Sequence, residues 1–121
     1  MTRRILVIED QEDNRRILRD LLTSAGYESI EADAGEEAPA LAQTQRPDLI
    51  LMDIQLPGID GYEATRRIKA DPALRRIPII AVTSYALSGD EVAAMEAGCD
   101  GYVTKPFSPR ALLAKIREYV P

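Results

Sequence analysis

The feature that most constrains the fold of this chain is an alternation of short apolar runs with amphipathic segments from one end to the other. Short apolar runs bounded by polar residues are typical of strands in a parallel sheet that is covered on both faces. The predicted strands are 5–8, 27–32, 49–53, 77–82 and 100–104. Between them, apolar residues recur at three- and four-residue spacing, which predicts helices. Five strands alternating with five helices indicate an open parallel α/β sheet with helices on both faces.

Local signals predict where several helices begin and end. The helices predicted after the first are 35–44, 61–70, 89–97 and 109–120. Pro39 removes a backbone hydrogen bond and clashes with the preceding turn, so we expect the second helix to start late, kink or be irregular. Gly26 is suited to end the first helix in a left-handed conformation. Ser108 is the expected N-cap of the last helix.

Size and composition predict a single domain, residues 1–121. The net charge of −5 argues against nucleic-acid binding through a basic surface. The lone cysteine, Cys99, rules out an internal disulfide, fits a reducing compartment and is expected to be a small buried residue. The apolar runs are far shorter than the roughly 20 residues that cross a bilayer, and too short for a signal peptide. We therefore expect a cytoplasmic protein.

Polar residues stand where four of the predicted strands end. They are Glu9, Asp10, Asp53, Thr83 and Lys105. The working site of an open α/β sheet lies beyond the carboxyl ends of its strands, so we expect these side chains to converge. A buried carboxylate is costly unless it is paired or bound to a metal. Asp53, at the end of a buried strand, therefore indicates either a compensated charge or a chemical role.

This set of residues suits phosphoryl transfer. Three carboxylates held close together repel one another, and Mg²⁺, which prefers oxygen ligands, is the natural remedy. Lys105 adds a positive charge, and Thr83 adds a hydroxyl that can bond a phosphoryl oxygen. Positioning and charge neutralisation do most of the work in such reactions. Asp53, alone on its strand between the other polar residues, is the expected nucleophile and would form an aspartyl phosphate.

With these residues in place, the chain resembles the receiver domain of response regulators, the phosphoacceptor module of two-component signalling. The markers are Glu9-Asp10, the segment 48–53, Leu56-Pro57-Gly58, Asp60-Gly61, Thr83-Ser84 and Lys105-Pro106-Phe107. They occur in order on a five-fold strand–helix pattern, and the likeness covers essentially the whole chain. The resemblance implies a flavodoxin-like, doubly wound (βα)5 fold whose five parallel strands have the order 2-1-3-4-5.

The resemblance also implies a role for each marked residue. Asp53 accepts a phosphoryl group from a histidine kinase or a histidine phosphotransfer protein. The Mg²⁺ site that it implies consists of Glu9, Asp10, Asp53 and the backbone carbonyl of Gln55. The chain is then no enzyme in the ordinary sense, since it catalyses only its own phosphorylation and dephosphorylation.

Further residues are implied to read the phosphorylation. Thr83 and Lys105 bind the phosphoryl oxygens, and Tyr102 resembles the aromatic switch that turns inward when Thr83 moves. The Lys105–Pro106 bond resembles the family's cis peptide. Gln55 and Tyr85 occupy positions that modulate phosphoryl lifetime in the family. We expect bulky Tyr85 to shield the acyl phosphate from water, so Tyr85→Ala should shorten its half-life.

Because the chain ends directly after its last predicted helix, we expect a stand-alone receiver without an effector domain. Its output would then be binding to other proteins, through the face made by the fourth helix, fifth strand and fifth helix. Segments 49–57 and 98–106 resemble stand-alone receivers that regulate cell-cycle and developmental kinases. A shuttle that passes phosphate to a phosphotransfer protein fits equally well.

Other interpretations remain open at this point. Asp53 could cap a turn, and Tyr102 could simply pack at a strand position. The runner-up function is a Mg²⁺-dependent aspartyl-phosphate phosphatase or phosphotransferase. It would need a second acid soon after the nucleophile, where Gln55 stands instead. A nucleotide- or flavin-binding domain is disfavoured because the first loop, 9–13, is acidic where a phosphate cradle needs glycines.

Overall fold

The computed structural model describes residues 2–84 and 90–121 and contains one five-stranded parallel sheet with the order β2-β1-β3-β4-β5. The strands are β1 Arg4–Ile8, β2 Glu28–Ala32, β3 Leu49–Asp53, β4 Ile79–Thr83 and β5 Gly101–Thr104. The helices are α1 Glu12–Ser24, α2 Ala38–Gln45, α3 Gly61–Ala70, α4 Asp90–Ala97 and α5 Pro109–Arg117. The predicted doubly wound fold and its strand order are confirmed. No helix in the two described stretches is long and apolar enough to cross a membrane.

Each face of the sheet carries its own apolar core. Successive strand residues point to opposite faces, so β1 supplies Leu6 and Ile8 to one core and Ile5 and Val7 to the other. The first core is covered by residues of α2, α3 and α4, and the second by residues of α1 and α5. This division explains why the central strands are apolar without interruption.

The strand register brings the polar strand ends to one edge. Ile8 of β1 pairs with Met52 of β3, and Asp53 pairs with Val82 of β4. Thr83 pairs with Thr104 of β5. The polar residues that end or follow β1, β3, β4 and β5 therefore lie side by side at the carboxyl edge, as predicted.

The helix-end signals are confirmed. A 3₁₀ turn at Gly35–Glu37 precedes α2, so the helix starts late. Pro39 lies in the first turn of this helix, where its missing N–H removes no helical hydrogen bond. Gly26 has a φ of 92°, in the left-handed region. Ser108 Oγ accepts a hydrogen bond from the Ala111 N–H at 2.9 Å. Cys99 is buried, and burial raises the pKa of its thiol.

Several element bounds differ from the prediction, and apart from the late start of α2 the larger differences are at the start of β4 and the end of α5. β4 begins at Ile79 and not at Ile77, because the Ile77 N–H donates to the carbonyl of Leu74 in a turn. α5 ends at Arg117, although Val120 is 2% exposed and its N–H still donates to the Ile116 carbonyl at 2.9 Å. The buried stripe therefore continues past the regular helix. The predicted start of the fourth helix, Gly89, lies outside the described residues.

Candidate functional site

Three carboxylates converge at the carboxyl edge of the sheet. Glu9 and Asp10 follow β1, Asp53 ends the neighbouring strand β3, and one oxygen of each lies within 4.8 Å of the other two. Glu9 is 2% exposed and Asp53 is 5% exposed, whereas Asp10 is half-buried. The Glu9 N–H donates to the Ala32 carbonyl at 3.1 Å, which anchors this loop to β2. The sequence-predicted acidic cluster is therefore assembled by the strand order.

Lys105 is the cation of this site. Its Nζ lies 2.6 Å from Glu9 Oε1 and 3.9 Å from Asp53 Oδ2. Its backbone N–H donates to the Thr83 carbonyl at 2.7 Å, and the Lys105–Pro106 peptide bond that follows is cis, as the resemblance implied. One ammonium group therefore faces three carboxylates, and its hydrogen bond goes to Glu9.

The three acids ionise differently because their surroundings differ. Burial, together with the negative charge of Glu9, raises the pKa of Asp53 to about 7. Burial also disfavours ionisation of Glu9, but hydrogen bonds from Lys105 and from the Gln11 N–H outweigh it and lower the pKa of Glu9. Burial and the neighbouring Glu9 raise the pKa of Asp10. Glu9 thus takes the hydrogen bond of Lys105, and Asp53 ionises less readily than an ordinary carboxyl group.

The oxygen donors of the site fit a hard divalent cation. Mg²⁺ is commonly bound by a few carboxylates while it keeps several waters or phosphate oxygens. Glu9, Asp10 and Asp53 offer three carboxylate oxygens in one small space, and their mutual repulsion would be relieved by such a cation. The three carboxylates therefore fit a hard cation such as Mg²⁺.

The side chain of Gln55 links β3 to the segment after β4, a contact that the sequence pattern did not predict. Its Nε2 donates to Thr83 Oγ1 at 2.5 Å, and its Oε1 accepts from the Ser84 N–H at 3.0 Å. The Gln55 N–H also donates to Asp53 Oδ1 at 3.2 Å. A side chain with both a donor and an acceptor, two residues after Asp53, was the available signal for this contact.

Tyr102 and Tyr85, the two tyrosines singled out in the sequence, differ in what can be said of them. Tyr102 lies on β5, is half-buried and packs against the core beneath α2, α3 and α4. Its switch role stays a prediction. Tyr85 lies outside the described residues, as does the shielding role expected of it.

A mostly apolar groove of about 460 Å³ adjoins the site. It is lined by Asn14, Ile17, Leu18, Ser84, Lys105, Pro106 and Phe107. Ile17 lies on α1 at helical spacing from the apolar residues Leu21 and Ala25, yet it is 58% exposed. Because the groove lies between α1 and the segment after β5, the periodicity of α1 alone did not predict it.

Known proteins match the chain over its whole length. The model of the response regulator receiver domain family matches residues 5–117. The polar-differentiation response regulator DivK of Brucella ovis is 45% identical over 120 residues, which cover 99% of this chain and 98% of that protein.

Solved structures share the fold as well. One is the receiver domain of the sensor histidine kinase PA1611 from Pseudomonas aeruginosa, with a magnesium ion coordinated in its active-site cleft. It has a TM-score of 0.92 and 39% identity, and the match covers 99% of this chain and 98% of that one. The Vibrio cholerae chemotaxis protein CheY4 has a TM-score of 0.92 and 28% identity over 98% of this chain and 99% of that one. The fold, the acidic site and these matches agree, and the chain belongs to the response regulator receiver domain family.

Proposed function

We propose that this protein is a phosphorylation-operated switch of two-component signalling, with Asp53 as its phosphoacceptor. The observation that carries the proposal is the position of the Asp53 carboxylate, which is buried beside Glu9 and Asp10 and lies 3.9 Å from Lys105 Nζ. Phosphohistidine of a histidine kinase or of a histidine phosphotransfer protein is the proposed donor, and the cytoplasm is the proposed location. The match to DivK, which covers 98% of that protein, supports residues 1–121 as one receiver domain.

The proposed reaction needs little beyond these side chains. The phosphorus–nitrogen bond of the donor breaks as a bond forms between phosphorus and an Asp53 carboxylate oxygen, and the histidine ring leaves with the electron pair. Only ionised Asp53 can attack, so its pKa of about 7 makes the local charge balance important. Lys105 would neutralise charge on the phosphoryl oxygens, and the Thr83 hydroxyl would bond one of them.

We propose Glu9, Asp10, Asp53 and the backbone carbonyl of Gln55 as the ligands of Mg²⁺. When bound, the cation supplies positive charge that offsets both the carboxylates and the incoming phosphoryl group. The magnesium in the active-site cleft of the PA1611 receiver domain supports this assignment.

The readout is proposed to begin at Thr83. Its hydroxyl accepts a hydrogen bond from Gln55, and its own O–H would donate to a phosphoryl oxygen, so a movement of Thr83 toward the phosphoryl group would be passed to Gln55. Tyr102 and the face formed by α4, β5 and α5 would follow, shifting the population toward a partner-binding state. Val92 and Met95 of α4, which are 59% and 50% exposed, support this face as a binding surface.

The groove beside the site is proposed as the place where the phosphodonor protein docks. It is apolar, and it adjoins Lys105 and Ser84 next to the phosphoacceptor. Ile17→Ser should slow transfer from a phosphorylated donor protein without slowing phosphorylation by acetyl phosphate. Val92→Ser, at an equally exposed residue of α4, is the matched control and should affect neither reaction. Equal slowing with both donors would contradict docking at this groove.

The central test is incubation with Mg²⁺ and acetyl phosphate, followed by intact mass. The wild-type protein should gain one phosphoryl group, and Asp53→Asn should gain none. No gain by the wild type, or an undiminished gain by the variant, would overturn the proposal. The protein should not hydrolyse phosphate esters, because the proposed activity is confined to its own phosphorylation and dephosphorylation.

A further inference from the structure

We propose that Arg15 is a positioning residue that holds the loop carrying Glu9 and Asp10 in its cation-binding arrangement. This inference rests on the proposed function, since it concerns the same Mg²⁺ site. Arg15 lies in the first turn of α1 and its side chain is 18% exposed. It adds a member to the site that neither touches the phosphoryl group nor binds the metal.

The guanidinium group of Arg15 reaches back over the start of α1 to the loop. Its Nη1 donates to the backbone carbonyl of Glu9 at 2.9 Å and to that of Asp10 at 3.2 Å. Gln11, the N-cap residue of α1, makes no side-chain capping hydrogen bond. Arg15 therefore ties down the backbone of both acids where the capping side chain does not.

Glu31 of β2 holds the guanidinium from the other side. Its Oε1 lies 3.6 Å from Arg15 Nε, and its carboxylate also accepts two hydrogen bonds from Arg19. The hydrogen bonds from Arg19 lower the pKa of Glu31, which keeps its carboxylate ionised. Glu31 thus joins the edge strand to Arg15, and Arg15 joins it to the acidic loop.

Such a tie is needed because Glu9, Asp10 and Asp53 repel one another. Without a cation, repulsion favours loop conformations in which the two loop carboxylates move apart, and a cation would then have to bring them back. Holding the two carbonyls limits those conformations before the cation arrives. Supporting partners of this kind typically change metal affinity by about 10- to 100-fold.

The sign of the effect separates positioning from simple charge. Removing a positive charge near the site should strengthen Mg²⁺ binding, because like charges repel. Removing the hydrogen bonds from Arg15 to the loop carbonyls should weaken Mg²⁺ binding. Arg15→Gln does both, whereas Arg19→Gln removes a neighbouring charge and leaves the loop carbonyls bonded, so Arg19→Gln is the matched control.

The experiment measures Mg²⁺ affinity by calorimetry and amide hydrogen exchange of residues 9–11 in the metal-free proteins. Arg15→Gln should bind Mg²⁺ about tenfold more weakly than the wild type and exchange faster in the loop. Arg19→Gln should bind at least as tightly as the wild type, with unchanged exchange. Equal or tighter Mg²⁺ binding by Arg15→Gln would overturn the role of Arg15 and leave the proposed function standing.

Arg15→Lys answers the same question if Arg15→Gln does not fold. It keeps the charge but replaces the planar fork by a single ammonium group, so weaker Mg²⁺ binding than in the wild type is expected. Binding equal to that of the wild type would overturn the role of Arg15. Failure of the proposed function would look different, because the wild type itself would then bind no Mg²⁺ or gain no phosphoryl group.

Discussion

Two lysine–carboxylate pairs lie at opposite edges of the sheet, and they have different roles. Lys105 meets Glu9 and Asp53 at the carboxyl edge, and Lys69 meets Asp100 at the amino edge. The two lysine side chains are almost equally exposed, at 18% and 17%. Burial of the carboxylates does distinguish the pairs, since the side chain of Glu9 is 2% exposed and that of Asp100 is 38% exposed.

Each N–H of the Lys69 ammonium group has an acceptor in the fold. Lys69 Nζ donates to the carbonyls of Arg75 and Ile77 and to Asp100 Oδ2, at 2.9 to 3.0 Å. Three donors thus meet three acceptors. Asp100 Oδ2 also accepts from the Ile79 N–H at 2.9 Å, which ties the loop before β5 to the start of β4. These contacts join segments of the fold.

At the Lys105 site, carboxylates outnumber the lysine. One ammonium group faces three carboxylates, and the nearest carboxylate takes it at 2.6 Å. Asp53 is left at 3.9 Å with a pKa raised to about 7 by burial and by Glu9. Charge balance and the burial of the carboxylates therefore distinguish the reactive site from the structural one.

The largest expected effect is on stability, and it should come from removing the negative charge of Asp53. In metal-free buffer above pH 7, Asp53→Asn should raise the free energy of unfolding by up to about 4 kcal/mol, because the pKa of Asp53 is about 7 in the folded state against an ordinary value of 3.8. Below the unfolded pKa Asp53 is protonated in both states, and the gain should vanish. Between these values the unfolded chain releases the proton first, so wild-type stability falls as pH rises.

Urea unfolding with a chelator at several pH values measures this gain. Asp100→Asn is the matched control at the other end of the sheet, and it should lower stability because it weakens the bond to Lys69. A loss of stability in Asp53→Asn above pH 7 would contradict the proposed charge imbalance.

The next effect concerns the reaction. Lys105→Met should slow phosphoryl gain from acetyl phosphate about a hundredfold, because a preorganised cation near developing negative charge is lost. Lys69→Met, equally buried in the wild type, should leave the rate unchanged. Initial rates followed by intact mass at saturating Mg²⁺ measure both. Similar losses in the two variants would mean that the two lysines do not differ in role.

The smallest effect concerns stability at the amino edge. Lys69→Met removes the lysine donor from two backbone carbonyls and from the Asp100 carboxylate, which should cost about 2 kcal/mol. Arg66→Met removes an exposed pair with Glu63 and should cost about 0.5 kcal/mol. Chemical denaturation compares the two. Equal costs would mean that the Lys69 contacts are no stronger than an exposed ion pair.

Much of this molecule is predictable from its sequence. The apolar runs predict the strands, and parallel strands place Glu9, Asp53, Thr83 and Lys105 at one edge. The local start of α2 around Pro39 is predictable too, because it depends on backbone chemistry within a few residues.

Other parts of the site were out of reach for sequence reasoning. Neither the preference of Lys105 for Glu9 nor the contacts of the Gln55 side chain with Thr83 and Ser84 follow from the pattern. The hold of Arg15 on the acidic loop was also missed. Each depends on a rotamer and on a distance across the fold, which hydrophobic periodicity does not encode.

The amino-acid order alone dictates the succession of the elements and the convergence of the polar strand ends, because hydrophobic periodicity and right-handed crossovers admit few arrangements. Which charges pair is settled only in the folded chain. Lys105 and Glu9 lie far apart along the chain, and the attraction between charges depends on their separation and on the burial that surrounds them. Those quantities exist only once the sheet has formed, and they leave Lys105 at hydrogen-bond distance from Glu9 but 3.9 Å from Asp53.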